Sequence, residues 1–371
     1  MFYHFWPQLD DLYGLFNVFR YISFRSLMAM LTAFLFSLAI YPCFMRWLSG
    51  QQRGQSNIRA DVPKNHLKKS GTPTMGGLMI IVATLFSLFL WGNGSNVILW
   101  GAVVMFAGFG LIGMVDDLQK VRKLNKKNGG GLSGLARLSL GAMLSVIGFL
   151  FIYHASEDKY ISTMLYFPFF KEVMVQFGWW FLLVVFLVVV GAANAVNLTD
   201  GLDGLAIGPI LVVAAVFGMI SYLVGNSIYS NYLQLHHVPN SGELAVLCAA
   251  IIGAGLGFLW YNAPPAMIFM GDTGSLALGG TLGYIAVATK HELVLAMAGA
   301  LFVIEALSVM LQVGYFKYSK IKYRSGRRIF LMAPLHHHYE KKGLAETHIV
   351  IRFWIVAGIC ALIALSTLKL R

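Results

Sequence analysis

The sequence predicts an all-α, polytopic membrane protein with ten transmembrane helices, forming one integral-membrane domain over residues 1–371. Three observations carry that prediction. Hydrophobic residues make up 58% of the chain and charged residues only 12%, whereas soluble domains carry roughly 25% charged residues. Apolar runs of about 20 residues, long enough to cross a bilayer as a helix, recur along the chain. The 28 Lys and Arg against 16 Asp and Glu, a formal charge of +12, gather in a few loops. These features exclude a soluble enzyme, a disordered chain and a disulfide scaffold. In a membrane protein the positive excess marks basic loops, not a nucleic-acid partner.

The apolar segments run over 22–46, 74–92, 97–115, 134–153, 175–196, 203–224, 243–261, 266–288, 293–316 and 349–368. All suit helices and all are too long for barrel strands. The first is expected to be a retained span. An aromatic stretch, Met1 to Trp6, opens the chain, and Arg20 and Arg25 precede the run, a pattern unlike a cleavable signal. Cys43, Cys248 and Cys360 lie far apart inside apolar runs and read as buried small hydrophobes. The 39 glycines suit close helix packing in lipid, as at Gly253, Gly255 and Gly257.

Orientation follows from the basic residues. The loops between segments 1–2, 3–4 and 9–10 hold twenty of the 28, among them Lys68, Lys69, Lys120, Lys126, Arg137, Arg327 and Arg328. The other side holds seven. The positive-inside rule makes the richer side cytoplasmic, and an even number of spans puts both termini outside. The basic loops could also attract anionic lipid phosphates or a nucleotide.

The unusual polar residues all fall on that basic side. Lys68 to Gly77 enters the second segment, Asp116-Asp117 ends the third, and Asn197-Leu-Thr-Asp200-Gly-Leu-Asp203-Gly204 joins the fifth and sixth. Asn262 and Gly271-Asp272-Thr-Gly274-Ser275 lie at the start of the eighth, and Pro334-Leu-His336-His337-His338 between the ninth and tenth. Each has a plainer reading: a charged stop, an interhelical turn, a solvated histidine cluster. Adjacent carboxylates raise each other's pKa unless a cation intervenes, and a hard ion such as Mg²⁺ supplies that compensation. Asp272 is expected well inside an apolar stretch, where a carboxylate is costly and points to function; Glu305 falls under the same rule. Three adjacent histidines diverge on a helix and chelate one zinc poorly, since zinc pairs sit roughly three to five residues apart. They suit phosphate contacts better. Metal, cations and a base on one face are what phosphoryl transfer needs, with one substrate in the lipid and one in the cytosol.

Taken together, these segments resemble the polyprenyl-phosphate sugar-1-phosphate transferases over essentially the whole chain. Asp116-Asp117 and the Asn197–Gly204 pattern are shared across that superfamily. Gly71-Thr-Pro-Thr-Met-Gly-Gly77 and Pro334-Leu-His-His-His338 are similar to its phospho-N-acetylmuramoyl-pentapeptide transferase branch. The resemblance implies transfer of the phospho-sugar from UDP-N-acetylmuramoyl-pentapeptide to undecaprenyl phosphate, giving lipid I and UMP, the first membrane step of peptidoglycan synthesis. It implies Mg²⁺, a homodimer, both termini periplasmic, and an active site at the cytoplasmic face of the bacterial inner membrane. By the same analogy Asp272, with Asp116 and Asp117, would hold the metal. Asp116 would be base or nucleophile, and His336, His337 and His338 would meet the pyrophosphate. Lys69 and Thr74 would border the uridine pocket, with Lys120 and Lys126 as further phosphate contacts. Asn197, Asp200, Asp203, Asn262, Phe269 and Gln312 match nucleoside- and phosphate-binding positions. Direct attack by the lipid phosphate and a covalent phospho-enzyme both remain open. Two rival readings stand beside this one. An N-acetylglucosamine-1-phosphate transferase would share most motifs but not the histidine run. A secondary transporter would place its ionisable residues near the midplane.

Overall fold

A computed structural model describes residues 3, 14–51, 71–122, 131–170 and 173–369. After a short 3-10 turn at Gly14–Arg20, the long helices are α1 (Ile22–Gln51), α2 (Gly77–Trp91), α3 (Val97–Arg122) and α4 (Gly134–Ala155). A four-residue turn, α5 (Lys159–Ser162), leads into a two-stranded antiparallel hairpin, β1 (Met164–Tyr166) and β2 (Met174–Gln176). The chain continues through α6 (Phe181–Thr199), α7 (Ile207–Val224), short α8 (Ser227–Leu233), α9 (Glu243–Asn262) and α10 (Gly271–Ala288). It ends with α11 (Glu292–Ala298), α12 (Ala300–Tyr323), short α13 (Leu335–Lys341) and α14 (Glu346–Ser366).

Among the described residues, eight helices are long and apolar enough to cross a membrane, and α2 is a shorter apolar helix. The polytopic helical fold is therefore as the sequence predicts, with three differences. The hairpin puts strand structure in the loop before the fifth segment and over that segment's first residues, 175–176, and the helix itself starts only at Phe181. The ninth segment is two helices, α11 and α12, meeting at Gly299. The eighth begins later than its apolar run suggests, because residues 263–270 form an irregular loop and α10 starts only at Gly271. Asp272 is thus the second residue of its helix, at the end of the span and not inside it. With its glycines and that Asp, α10 falls below the apolarity of its neighbours.

It is nonetheless the centre of the fold. Every residue of α10 from Thr273 to Ala288 is buried, chiefly against α3 and α6. Its glycines permit this by letting neighbouring backbones touch it. A Cβ on Gly77 of α2 would sit 2.2 Å from the Gly274 Cα, and one on Gly113 of α3 would sit 2.2 Å from the Asp272 carbonyl oxygen. Gly279 and Gly283 meet the backbone of α6 in the same way. The helices α1 and α9 close equally tightly, with Gly253 against the Met30 carbonyl and Gly257 against Ser37.

At the end of the bundle away from Asp272, a buried Arg25 forms a bidentate pair with Glu243, at 2.8 and 2.6 Å, and donates to the Trp91 carbonyl. This ties α1, α2 and α9 together, and both charges are compensated where an unpaired one would be costly. At the same end Lys290, in the turn after α10, donates to the Ser162 carbonyl at 2.5 Å and lies over the Phe181 ring. Burial pushes its amine down to about 8, against a partial upward pull from Glu292.

Candidate active site

Antiparallel packing of α3 on α10 brings the end of one helix onto the beginning of the other. Asp117, one turn before the end of α3, reaches the first turn of α10. The Asp272 N–H donates to its Oδ1 at 3.1 Å, and the Thr273 N–H and Oγ1 donate to its Oδ2 at 2.9 and 2.7 Å. A helix start exposes N–H groups and positive dipole, and a carboxylate satisfies both. Gly271, at φ +75°, makes the turn into the helix, and Thr74 stands beside it.

Asp116 faces the other way. Its Oδ1 accepts from the Leu132 N–H at 2.6 Å, where the chain returns toward α4. Its Oδ2 lies 2.6 Å from Lys120 Nζ, and the same amine lies 2.8 Å from Asp272 Oδ2. Arg137, near the start of α4, adds its guanidinium at 3.3 Å from Asp272 and 4.0 Å from Asp116. The carboxylates are nearly enclosed, Asp116 1% exposed, while Lys120 and Arg137 are one-third exposed and form the mouth.

The remaining loops are laced to this centre. Asn197, at the end of α6, donates to Ser275 Oγ at 2.9 Å. The Gly76 and Gly77 N–H groups donate to the Phe269 and Met270 carbonyls, and the Phe269 N–H donates to the Pro73 carbonyl. The 71–77 and 263–270 segments therefore form one wall, with the Phe269 ring partly exposed on it. Asn262 is buried. Its Oδ1 accepts from the Gly204 N–H, and its Nδ2 donates to the Ile268 carbonyl. Asp203 Oδ2 accepts from the Ala266 N–H. Both side chains thus hold loop to loop. Asp200 is the loop residue that stays beside the centre. Loss of water, and then Asp272, Asp117 and Asp203, push its carboxyl up to about 8.

The histidine run does not act as one unit. His336 is fully buried, its Nε2 against Gly201, whose added Cβ would come within 2.2 Å. Its Nδ1 lies 3.4 Å from Glu305 Oε1. Burial lowers the His336 pKa despite that carboxylate. His337 pairs with Glu340 through Nδ1 at 3.0 Å, and His338 Nδ1 accepts from the Leu331 N–H. Gln312, expected at a ligand, ties the chain to residues 329–330. Its Oε1 accepts from the Ile329 and Phe330 N–H groups, and its Nε2 donates to the Phe330 carbonyl. Lys69 and Lys126 lie outside the described residues.

Sequence reading named Asp116, Asp117, Lys120, Asn197, Asp200 and Asp272, and the fold brings them to one place. Arg137 joins them, a basic residue just inside a helix start opposite two acids. Among the described residues no group of three or more His, Cys, Asp or Glu side chains is arranged around one point as a metal cage. Asp116 and Asp272 nonetheless converge on a single cation, the Lys120 amine, as two hard oxygen donors.

The comparisons with known proteins agree with this geometry. A family model, glycosyl transferase family 4, matches residues 99–290, from α3 through α10. The phospho-N-acetylmuramoyl-pentapeptide-transferase signature 1 matches residues 69–81, the wall beside Asp272. The chain is a multi-pass membrane enzyme of peptidoglycan precursor synthesis, transferring phospho-N-acetylmuramoyl-pentapeptide to undecaprenyl phosphate. With half of its length matched, and the signature beside the acidic centre, it belongs to glycosyl transferase family 4.

Proposed function

We propose that the transfer runs at the Asp116–Asp272 pair with Mg²⁺, on the cytoplasmic face of the inner membrane, with both termini periplasmic. The observation that carries the assignment is the shared cation, Lys120 Nζ, at 2.6 Å from Asp116 and 2.8 Å from Asp272. Asp272, a hard oxygen donor, would hold the ion, and Asp116 Oδ2 beside it stays free for a proton. When bound, the ion would neutralise phosphate oxygens and so lower the barrier to attack on phosphorus. Asp117 is a poorer ligand, since its oxygens are engaged by the α10 N-terminus. The excess of Lys and Arg on this side of the bundle supports the orientation.

Asp116 has an oxygen bound to no backbone donor and acts as the base. Its Oδ2 takes the proton of the lipid phosphate. That phosphate oxygen forms the bond to the β-phosphorus of the UDP-sugar, the bond to UMP breaks, and UMP leaves with the electron pair. Lys120 and Arg137, at the mouth, pair with the pyrophosphate as charge moves onto the leaving group. Phe269 offers an aromatic face to the base, and Thr74 and Asn197 frame the nucleotide beside Asp272. By the resemblance His337 and His338 would meet the pyrophosphate, Lys69 would border the uridine pocket and Lys126 would add a phosphate contact. A cavity of about 340 Å³ between α6, α10 and α11–α12, lined by Leu187, Ala192, Val196, Leu282, Leu295 and Phe302, suits an isoprenoid segment of the acceptor. The resemblance also carries a homodimer, which mass measurement in detergent tests.

The test is UMP release from UDP-N-acetylmuramoyl-pentapeptide by purified protein with Mg²⁺, with and without undecaprenyl phosphate, and with Asp272→Asn. UMP that needs the lipid and is lost in the variant supports direct attack at this pair. One equivalent of UMP without lipid points to a covalent phospho-enzyme. No UMP from folded protein overturns the assignment.

A further inference from the structure

Glu305 is fully buried five residues into α12, in a stretch that supplies no basic partner, and no lysine or arginine pairs with it among the described residues. A carboxylate so placed is costly unless its bonds are filled, and it marks a function. Its bonds go to one place. The Leu335 N–H donates to Oε2 at 2.6 Å and the His336 N–H donates to Oε1 at 3.1 Å, which satisfies the first two N–H groups of α13. The same Oε1 lies 3.4 Å from His336 Nδ1. Neither ring nitrogen has a hydrogen-bond partner: Nδ1 stands beside Glu305 at ion-pair distance, and on the far side Nε2 is buried against Gly201. A fully buried imidazole with one nitrogen beside a carboxylate and the other unfilled is arranged to meet something the fold itself does not provide.

We propose that Glu305 is a positioning residue for His336. It fastens the start of α13 and keeps the ring proton on Nδ1, so that Nε2 is presented to the anionic phosphates beside the Asp200–Gly204 loop. The nitrogen that holds the proton is set by the bond the other side of the ring makes, and a carboxylate at Nδ1 also stabilises the ring when Nε2 gains a proton. In the neutral Nδ1–H ring Nε2 is an acceptor, so Nε2 takes a proton from water as the anionic phosphates arrive, and the resulting Nε2–H donates to a phosphate oxygen as UMP departs. This rests on the phosphoryl-transfer reading of the site, and it places a determinant of that site 31 residues upstream of the histidines.

The experiment uses the full-length protein in lipid nanodiscs with Glu305→Gln, His336→Gln and the double variant. Glu305→Gln keeps the size and one acceptor but loses the charge. Expected is a fall in kcat of roughly 10- to 100-fold, the range for removing a group that orients an active-site imidazole. KM for the UDP-sugar stays within about threefold and the thermal midpoint is little changed. The double variant is no slower than His336→Gln alone, because the two residues act as a unit. Independently of turnover, ¹⁵N-histidine spectra, with His336 identified by its loss in His336→Gln, show the Nδ1–H form in the wild type and a redistributed proton in Glu305→Gln. A kcat within twofold of the wild type in Glu305→Gln, losses that multiply in the double variant, or an unchanged His336 spectrum overturns the proposal. Wild-type protein that releases no UMP while showing the Nδ1–H signature and its change in Glu305→Gln overturns the phosphoryl-transfer reading and leaves the positioning role supported.

Discussion

The Asp117 carboxylate accepts from the backbone N–H of Asp272, so one acid of the site holds the helix start that carries another. The two members of the Asp116-Asp117 pair therefore have different tasks. Asp117→Ala removes a helix-start acceptor and is expected to lower stability by about 1–2 kcal/mol together with activity. Asp116→Asn is expected to stop UMP release while leaving the thermal midpoint near the wild type. Thermal melts and UMP release on the same preparations check the split; equal melting losses in both variants contradict it.

Gly201 gives the His336 ring its space. Gly201→Ala is expected to displace the ring and cut UMP release by roughly tenfold or more, since small misplacements in a reacting constellation are costly. Gly358→Ala, on α14 where an added Cβ meets nothing within 4 Å, is the matched control and is expected to behave as wild type.

Chelation of the divalent ion is expected to abolish turnover, with recovery on adding Mg²⁺ back. Asp272→Glu is expected to raise the Mg²⁺ concentration for half-maximal rate, because the longer side chain moves the donor out of register with Asp116. A Mg²⁺ titration of each protein reads this directly.

At the opposite end, Lys290 makes a prediction about pH. Its folded pKa of about 8 lies below the ordinary lysine value of 10.5. Between those values the unfolded chain binds more protons than the folded one, so stability rises with pH across that window. Below pH 8 the cost of the buried charge is present in full. Lys290→Met, which keeps the stem but not the charge, is expected to raise the thermal midpoint at pH 7 by roughly 2–6 °C and to flatten its rise between pH 8 and 10.5. An unchanged pH profile contradicts the assignment.

The helices were legible in the sequence because lipid demands long unbroken apolar runs, and the acidic site because carboxylates and paired glycines are conspicuous against them. What was not legible depended on which backbone meets which side chain. Nothing in Asp116-Asp117 says that one oxygen pair faces the N–H groups of a helix 155 residues away. Nor do Asn262 and Gln312 announce by residue type which loops their amides tie together. Asp272 looked deep because residues 266–270 are apolar, but they form a wall and not a helical turn. Glu305 was conspicuous alone, and its partner was invisible until α13 folded back on α12.

The glycine contacts around α10 also bear on how this enzyme could escape a drug. Backbone atoms of α2, α3 and α6 already occupy the space that new side chains on Gly77, Gly113, Gly279 or Gly283 would need. A compound anchored against the Asp272 end of that core would meet a surface that cannot easily be reshaped by point mutation. Resistance would have to arise at the rim, in the 71–76 and 263–270 loops or at Lys120 and Arg137, where the same residues are needed for turnover.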